Sequence, residues 1–185
     1  MRTRLAEVRD AEATRAIYNL EVLESTVTFD IVPRTLEDQL QWIREHSGGH
    51  PAIVAIDGHD TVVGFASLSP FKPRAAYAPT VEDSVYVHRD ARGQGVGEVL
   101  LRGILSLGTD HGFHSVIARI VGGHDASIAL HRKCGFVRSN FSLAIAAPNS
   151  CLLTDCGLNS SADLGRAGSG GGTRTRDPTI MSRVL

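Results

Sequence analysis

The chain has no excess charge of either sign: 19 Lys and Arg stand against 20 Asp and Glu, leaving a formal charge of −1 over 185 residues. Nucleic-acid binding driven by bulk charge is therefore not expected. No apolar run approaches the roughly 20 residues that cross a bilayer. Residues 1–10 alternate charged with small apolar side chains, unlike a secretory leader. Three cysteines, an odd number, give no disulfide framework. Cys134, Cys151 and Cys156 also lack the spacing of zinc ligands, so no metal is expected. What is present is a chain of ordinary single-domain length with 42% hydrophobic residues, enough to bury a core. It reads as a cytoplasmic protein without nucleic-acid or membrane partners.

The pattern of apolar residues and turn signals predicts the elements. Residues 2–8 form a first strand. Asp10 N-caps a helix whose apolar positions Ala13, Ala16, Ile17, Leu20 and Leu23 recur at steps of three and four. Thr35, with Asp38 in a variant of the capping box, opens a second helix carrying Leu36, Leu40 and Ile43 on one face. Apolar runs 52–56 and 62–68 flank Asp57-Gly58-His59-Asp60 as a hairpin. Residues 81–87 form a strand, 95–111 a helix ended by Gly112, and 116–121 a buried strand. Residues 126–133 form a short helix capped by Asp125 and stopped by Gly135. The order β-α-α-β-β-β-α-β-α-β predicts a mixed α/β layer fold for residues 1–138. Residues 139–185 are set apart as an atypical, largely disordered tail rich in Ser, Gly, Asn and Thr, with too little apolar surface to offset ordering.

The most informative stretch joins the strand 81–87 to the following helix. Gly93, Gly95 and Gly97 leave backbone N–H groups unshielded at a helix N-terminus, a cradle suited to a diphosphate, with Arg89 and Arg92 as mobile cationic donors beside it. The spacing is neither the dinucleotide fingerprint nor a P-loop. A glycine-rich helix-entry turn without a ligand is the competing reading. Arg92-x-x-Gly95-x-Gly97 after an apolar strand resembles the acyl-CoA pyrophosphate loop of the GNAT N-acetyltransferases. Ser127-Ile128-Ala129-Leu130-His131-Arg132-Lys133-Cys134-Gly135-Phe136 is similar to the second signature of that superfamily. Within it, Thr80-Val81-Glu82-Asp83-Ser84-Val85-Tyr86-Val87, Glu24-Ser25-Thr26-Val27-Thr28-Phe29 and Phe71-Lys72-Pro73-Arg74 resemble phosphinothricin and methionine sulfoximine/sulfone acetyltransferases.

That resemblance implies a mostly antiparallel central sheet flanked by helices, and acetyl-CoA as co-substrate without a metal. The backbone of Val85, Tyr86 and Val87 would hold the pantetheine arm where the strand splays from its neighbour, and supply the oxyanion donor. Arg92, Gly93, Gln94, Gly95, Val96, Gly97 and Glu98 would take the pyrophosphate. His124 falls where relatives usually carry Asn, a departure that bears on cofactor affinity. Glu82 is implied as general base, directly or through one water. Asp83 is expected to face the other way, since strand side chains alternate. His131 is implied as general acid or thiolate stabiliser, with a packed, hydrogen-bonded histidine as the competing reading. Lys72, Pro73, Arg74, Glu82, Asp83 and Ser84 would contact a small amine substrate, the two cations suiting a carboxylate or phosphinate tail. Tyr77 and Phe29 are candidate pocket walls, and Trp42 a packing residue.

Relatives continue past the Gly-Phe strand with a Trp-containing closing hairpin that often joins a dimer interface, so a homodimer is expected as in relatives. Here that hairpin is missing or altered. Residues 171–185 resemble a frame read antisense through a transfer-RNA gene, which implies a frameshift near Arg138. The function expected is acetyl transfer from acetyl-CoA to the primary amine of a small amino acid analogue. A catalytically impaired CoA-binding scaffold is the alternative, and acetylation of a protein N-terminus or lysine a third reading.

Overall fold

The computed structural model describes residues 1–28, 30–138 and 150–156. Phe29 and the remainder of the tail lie outside the described residues. Strands β1 (Arg2–Leu5), β2 (Ala52–Ile56), β3 (Val62–Pro70) and β4 (Thr80–Val87) pair antiparallel in that order, and β4 pairs parallel with β5 (Ser115–Val121). One face carries α1 (Ala11–Glu24) and α2 (Leu36–Glu45), the other α3 (Val96–Asp110) and α4 (Asp125–Lys133). The element order matches the sequence reading up to the strand after α4.

Alternation along each strand feeds two cores. Leu68, Val81, Leu100, Leu101 and Ile104 are buried on the α3 side. Ile17, Tyr18, Val54, Ile56 and Phe65 are buried on the α1 side, where Phe65 stacks on Tyr86 and meets the edge of Trp42. Trp42 is thus a packing residue, as expected. The capping box at Thr35 and Asp38 is present in both directions.

The first helix departs from the expectation in two ways. Asp10 stands at its N-cap but gives no side-chain cap bond. Its carboxylate is instead held by Arg4 through contacts of 2.6 and 2.7 Å and accepts the Glu7 N–H. Burial opposes the Asp10 charge, but Arg4 and the Glu7 amide outweigh it and hold the carboxyl below the ordinary range. The buried face of α1 is also rotated: it carries Ala11, Thr14, Ile17, Tyr18 and Glu21, while Leu23 is 68% exposed. Apolar periodicity misplaces the face because two of its members are polar and satisfied. Thr14 donates to the Asp10 carbonyl at 2.8 Å and accepts from Gln39 at 3.0 Å.

The end of the sheet also differs. Within the segment set apart as a tail, β7 (Ser150–Cys156) inserts between β5 and β6 (Val137–Arg138), parallel to both, completing the order β1-β2-β3-β4-β5-β7-β6. A parallel strand thus lies where a closing hairpin was expected to be missing or altered.

Candidate active site

The β4–β5 ladder is short. It pairs Thr80 with Ser115, Val81 with Val116 and Glu82 with Ile117, and no further, although both strands continue. From Asp83 onward the strands part. The antiparallel ladder to β3 fixes which groups face the gap. His88 N–H donates to the Val63 carbonyl at 2.9 Å, so alternation sends the backbone groups of Tyr86, Ser84 and Glu82 towards β3. Those of Asp83, Val85 and Val87 therefore point into the splay. The Val87 carbonyl there accepts from Arg92 Nε at 3.3 Å.

At the apex of the splay two carboxylates diverge. Glu82 faces the α1 side, with its side chain 18% exposed, and Arg119 Nε of β5 lies 2.6 Å from its Oε1. Asp83 faces the α3–α4 side, where its Oδ2 lies 3.1 Å from His131 Nε2 of α4. The alternation expected from sequence is observed. Asp83 is 6% exposed, so its side chain is not offered to a small molecule on the Glu82 face. His131 is 4% exposed and both ring nitrogens are engaged, Nδ1 lying 2.7 Å from the Ser127 carbonyl. Burial works against its charge, but the Asp83 carboxylate and the Ser127 carbonyl outweigh it and raise its pKa above the ordinary imidazole value. Ser84 and Tyr86 share the Glu82 face, and the Tyr86 ring is built into the core with its hydroxyl pKa raised by burial.

The glycine loop lies at the other end of β4. Gly93 and Gly95 adopt φ of +74° and +81°, and nothing lies within 4 Å of where a Cβ would stand on either. Gly95 is the N-cap of α3 and supplies no side chain, so the N–H groups of Val96, Gly97 and Glu98 open the helix without intrahelical acceptors. These residues fit a diphosphate: open space above two glycines, and three amides at a helix N-terminus. A Cβ on Gly97 would meet Leu130 Cδ2 at 3.0 Å, so this glycine serves the α3–α4 packing. Val96 is buried, and Gln94 donates to the Asp90 carbonyl at 2.9 Å. The Glu98 side chain binds Arg102 at 3.0 Å and Lys133 at 2.5 Å. His124 is half-buried at the start of α4 and gives no side-chain cap bond.

Arg89 and Arg92 are not the mobile donors expected. Glu21 of α1, whose side chain is 5% exposed, lies 3.3 Å from Arg89 and 2.7 Å from Arg92, and Arg89 also binds Glu24 at 2.5 Å. A carboxylate buried to that degree requires cationic partners, and it commits both arginines to α1. Burial pushes against the Glu21 charge, but Ser25 and the two arginines prevail and lower its pKa.

Lys72, Pro73 and Arg74 line a separate cleft of about 440 Å³ together with His50, His111 and Phe113. It lies beyond the C-terminal end of α3, a 15-residue helix whose other end is the glycine loop. Glu82 does not line it, so the structure does not bring the cationic turn and the apex carboxylate into one cavity. The Lys72 ammonium sits over the Phe71 and Tyr77 rings at 5.0 and 5.2 Å.

Sequence reasoning missed Arg119, Glu21 and His46. Arg119 could have been noticed as the lone charge within the apolar run of β5. His46 is buried against Trp42, with Nδ1 2.8 Å from the Trp42 carbonyl and Nε2 2.9 Å from Ser69 Oγ, and burial lowers its pKa. Among the described residues, no group of three or more His, Cys, Asp or Glu could hold a metal ion, and no helix is long and apolar enough to cross a membrane.

The sequence and the fold are similar to those of known proteins. The chain is 37% identical over 132 residues to an L-methionine sulfoximine/L-methionine sulfone acetyltransferase of Pseudomonas paraeruginosa, covering 71% of this chain and 77% of that one. It is 33% identical over 130 residues to a phosphinothricin N-acetyltransferase of Streptomyces coelicolor, covering 69% and 76%. Among solved structures, a phosphinothricin acetyltransferase from Sinorhizobium meliloti in complex with AcCoA superposes with a TM-score of 0.70 at 36% identity, over 72% of this chain and 73% of that one. The model of the Acetyltransferase (GNAT) family matches residues 14–136, which include most of α1, the splayed strands, the glycine loop and α4. With that match over most of its length, the chain belongs to the GNAT family of acetyltransferases.

Proposed function

We propose that the protein transfers the acetyl group of acetyl-CoA to the primary amine of a small amino acid analogue of the phosphinothricin, methionine sulfoximine or methionine sulfone type. Acetyl-CoA, when bound, supplies an activated thioester. The amides of Val96, Gly97 and Glu98, with the open space over Gly93 and Gly95, would hold its diphosphate, and the strand edge at Val85 its arm. The observation that carries the reading is the divergence of Glu82 and Asp83 at the residue where β4 leaves β5. Glu82 stands on the face of α1 and α2 and takes a proton from the incoming ammonium, directly or through one water. The Val85 N–H, directed into the splay, polarises the carbonyl under attack, a role worth about 3–4 kcal/mol in acyl transfer. His131, on the opposite face, returns a proton to the departing sulfur.

A thiol-release assay with acetyl-CoA and a panel of methionine sulfone, methionine sulfoximine, phosphinothricin and an N-terminal peptide tests the reading. Turnover with the small amino acid analogues is the expected result. Calorimetric binding of acetyl-CoA with no turnover of any acceptor would instead identify a cofactor-binding scaffold.

A further inference from the structure

Ser69 of β3 stands directly opposite Glu82 in the β3–β4 ladder. Residues so paired project from the same face of a sheet, with Cβ atoms about 4.5–5.5 Å apart. The Ser69 hydroxyl marks that face independently, since its Oγ lies 2.9 Å from Nε2 of His46, the C-cap of α2. The hydrogens of this contact can be assigned. Nδ1 of His46 lies 2.8 Å from the Trp42 carbonyl, which only accepts, so Nδ1 carries hydrogen. The ring is buried and stacked on Trp42 at 4.2 Å, and burial holds its pKa below the ordinary imidazole value. The charged and titratable groups around it are Glu45, His50 and Arg34, and among the described residues none of them bonds to the imidazole. The ring near pH 7 is therefore neutral and its Nε2 is a bare acceptor. The Ser69 hydrogen goes to Nε2, and Oγ keeps only lone pairs for anything else that approaches. Among the described residues His46 is the one hydrogen-bond partner of that oxygen. On the other side of Glu82 lies Arg119 of β5, at 2.6 Å. The apex carboxylate thus stands between a neutral acceptor on β3 and a cation on β5.

We propose that Ser69 is a second seat for the ammonium of the acceptor, beside Glu82, and that His46 is a positioning residue that keeps the Ser69 oxygen turned out as an acceptor. The inference rests on the reading of Glu82 as the base. The guanidinium of Arg119 repels a cation, so the ammonium is favoured on the β3 side of the carboxylate. One N–H of the ammonium points to Glu82 and a second to Ser69 Oγ. When the base acts, the first N–H bond breaks, its electron pair stays on nitrogen and an O–H bond forms on Glu82. The second N–H is kept on Ser69 throughout, and the Ser69 hydrogen stays on His46. The retained bond stops the nitrogen from turning as its lone pair is released. An acceptor must therefore bring one hydrogen to lose and another to keep, which an alcohol does not offer.

The test joins kinetics to imidazole ¹⁵N resonance spectroscopy on the full chain, with the His46 signals assigned by loss in His46→Gln. Ser69→Ala should raise the KM of methionine sulfone, or of whichever analogue turns over, about tenfold or more, the scale of a lost hydrogen bond to a charged group. Its kcat should change less than about twofold, the pattern of a contact made equally before and during the reaction. Calorimetric affinity for acetyl-CoA should stay unchanged, and Ser69→Thr should recover part of the KM. In the wild type at pH 7.5, His46 is expected to be neutral with its hydrogen on Nδ1. Adding the acceptor together with CoA should move the Nε2 resonance, and CoA alone should not. A ring with hydrogen on Nε2 overturns the proposal, and this needs no variant to fold. So does an active Ser69→Ala enzyme with lowered stability and unchanged KM, the result expected if the His46–Ser69 bond only ties α2 to β3. An absence of turnover with every acceptor overturns the acetyl-transfer reading itself, a different result from an unmoved KM in an active enzyme.

Discussion

Glu82 and Asp83 are neighbours in the chain, yet their carboxylates lie on opposite faces of the sheet, one on Arg119 at 2.6 Å and the other on His131 at 3.1 Å. Strand alternation alone produces this separation. It gives one short peptide segment two carboxylates in different surroundings, one with an 18% exposed side chain and one with a 1% exposed side chain.

Glu82→Gln keeps the shape and removes the base. The turnover number should fall about 100-fold or more, the usual scale for a positioned base, while calorimetric affinity for acetyl-CoA stays within twofold. Equal loss of both would count against the assignment. Arg119→Ala should lower kcat less, about tenfold, by freeing the carboxylate from its 2.6 Å contact, and Arg119→Lys should recover part of it.

The glycines of the loop should respond unequally. At Gly95, φ +81° makes Ala strained by about 1–2 kcal/mol, and its methyl would enter the space assigned to the diphosphate. The dissociation constant for acetyl-CoA is expected to rise at least tenfold. At Gly97 the new methyl meets only the end of the Leu130 side chain, at 3.0 Å, which can turn aside. Gly97→Ala should therefore change the melting temperature little and the affinity less than Gly95→Ala.

Glu21 links α1 to the loop that precedes α3. Glu21→Ala leaves Arg89 and Arg92 without their shared partner and should cost about 1–3 kcal/mol in urea unfolding. Because Arg92 also donates to the Val87 carbonyl at the splay, acetyl-CoA affinity should weaken several-fold. Unchanged affinity would show that the loop holds its shape without α1.

Two buried histidines should give stability opposite pH dependences. The His131 pKa is raised, so its contribution is complete below the unfolded value, about 6.5, and is lost as pH rises through the folded value. The His46 pKa is lowered by burial, so its contribution is present above that unfolded value and is lost as pH falls. Urea midpoints measured from pH 5 to 9 should show both limbs. Asp83→Asn should flatten the alkaline limb alone and His46→Gln the acidic limb alone.

Much of this was legible before any coordinates. The hairpin at Asp57–Asp60, the capping box at Thr35, the glycine stop at Gly112 and the alternation at Glu82 and Asp83 are local, and local chemistry decides them. What was not legible depends on partners remote in sequence. Nothing near Arg89 or Arg92 announces Glu21, which is 68 and 71 residues away. The burial of Thr14 and Glu21 runs against an apolar pattern because each is satisfied by groups elsewhere. Arg119 meets Glu82 only because β5 runs parallel to β4 in one particular register.

The placement of β7 has a consequence for how the molecule is made. In the described sheet β6 is hydrogen-bonded to β7 alone, and β7 in turn to β5. During synthesis, residues 137–138 emerge with no seat in the sheet, and the outer edge of β5 stays bare until residues 150–156 leave the ribosome. Assembly at this border therefore runs against the direction of translation, and a nascent chain halted in between would present the β5 edge to chaperones or to other nascent copies.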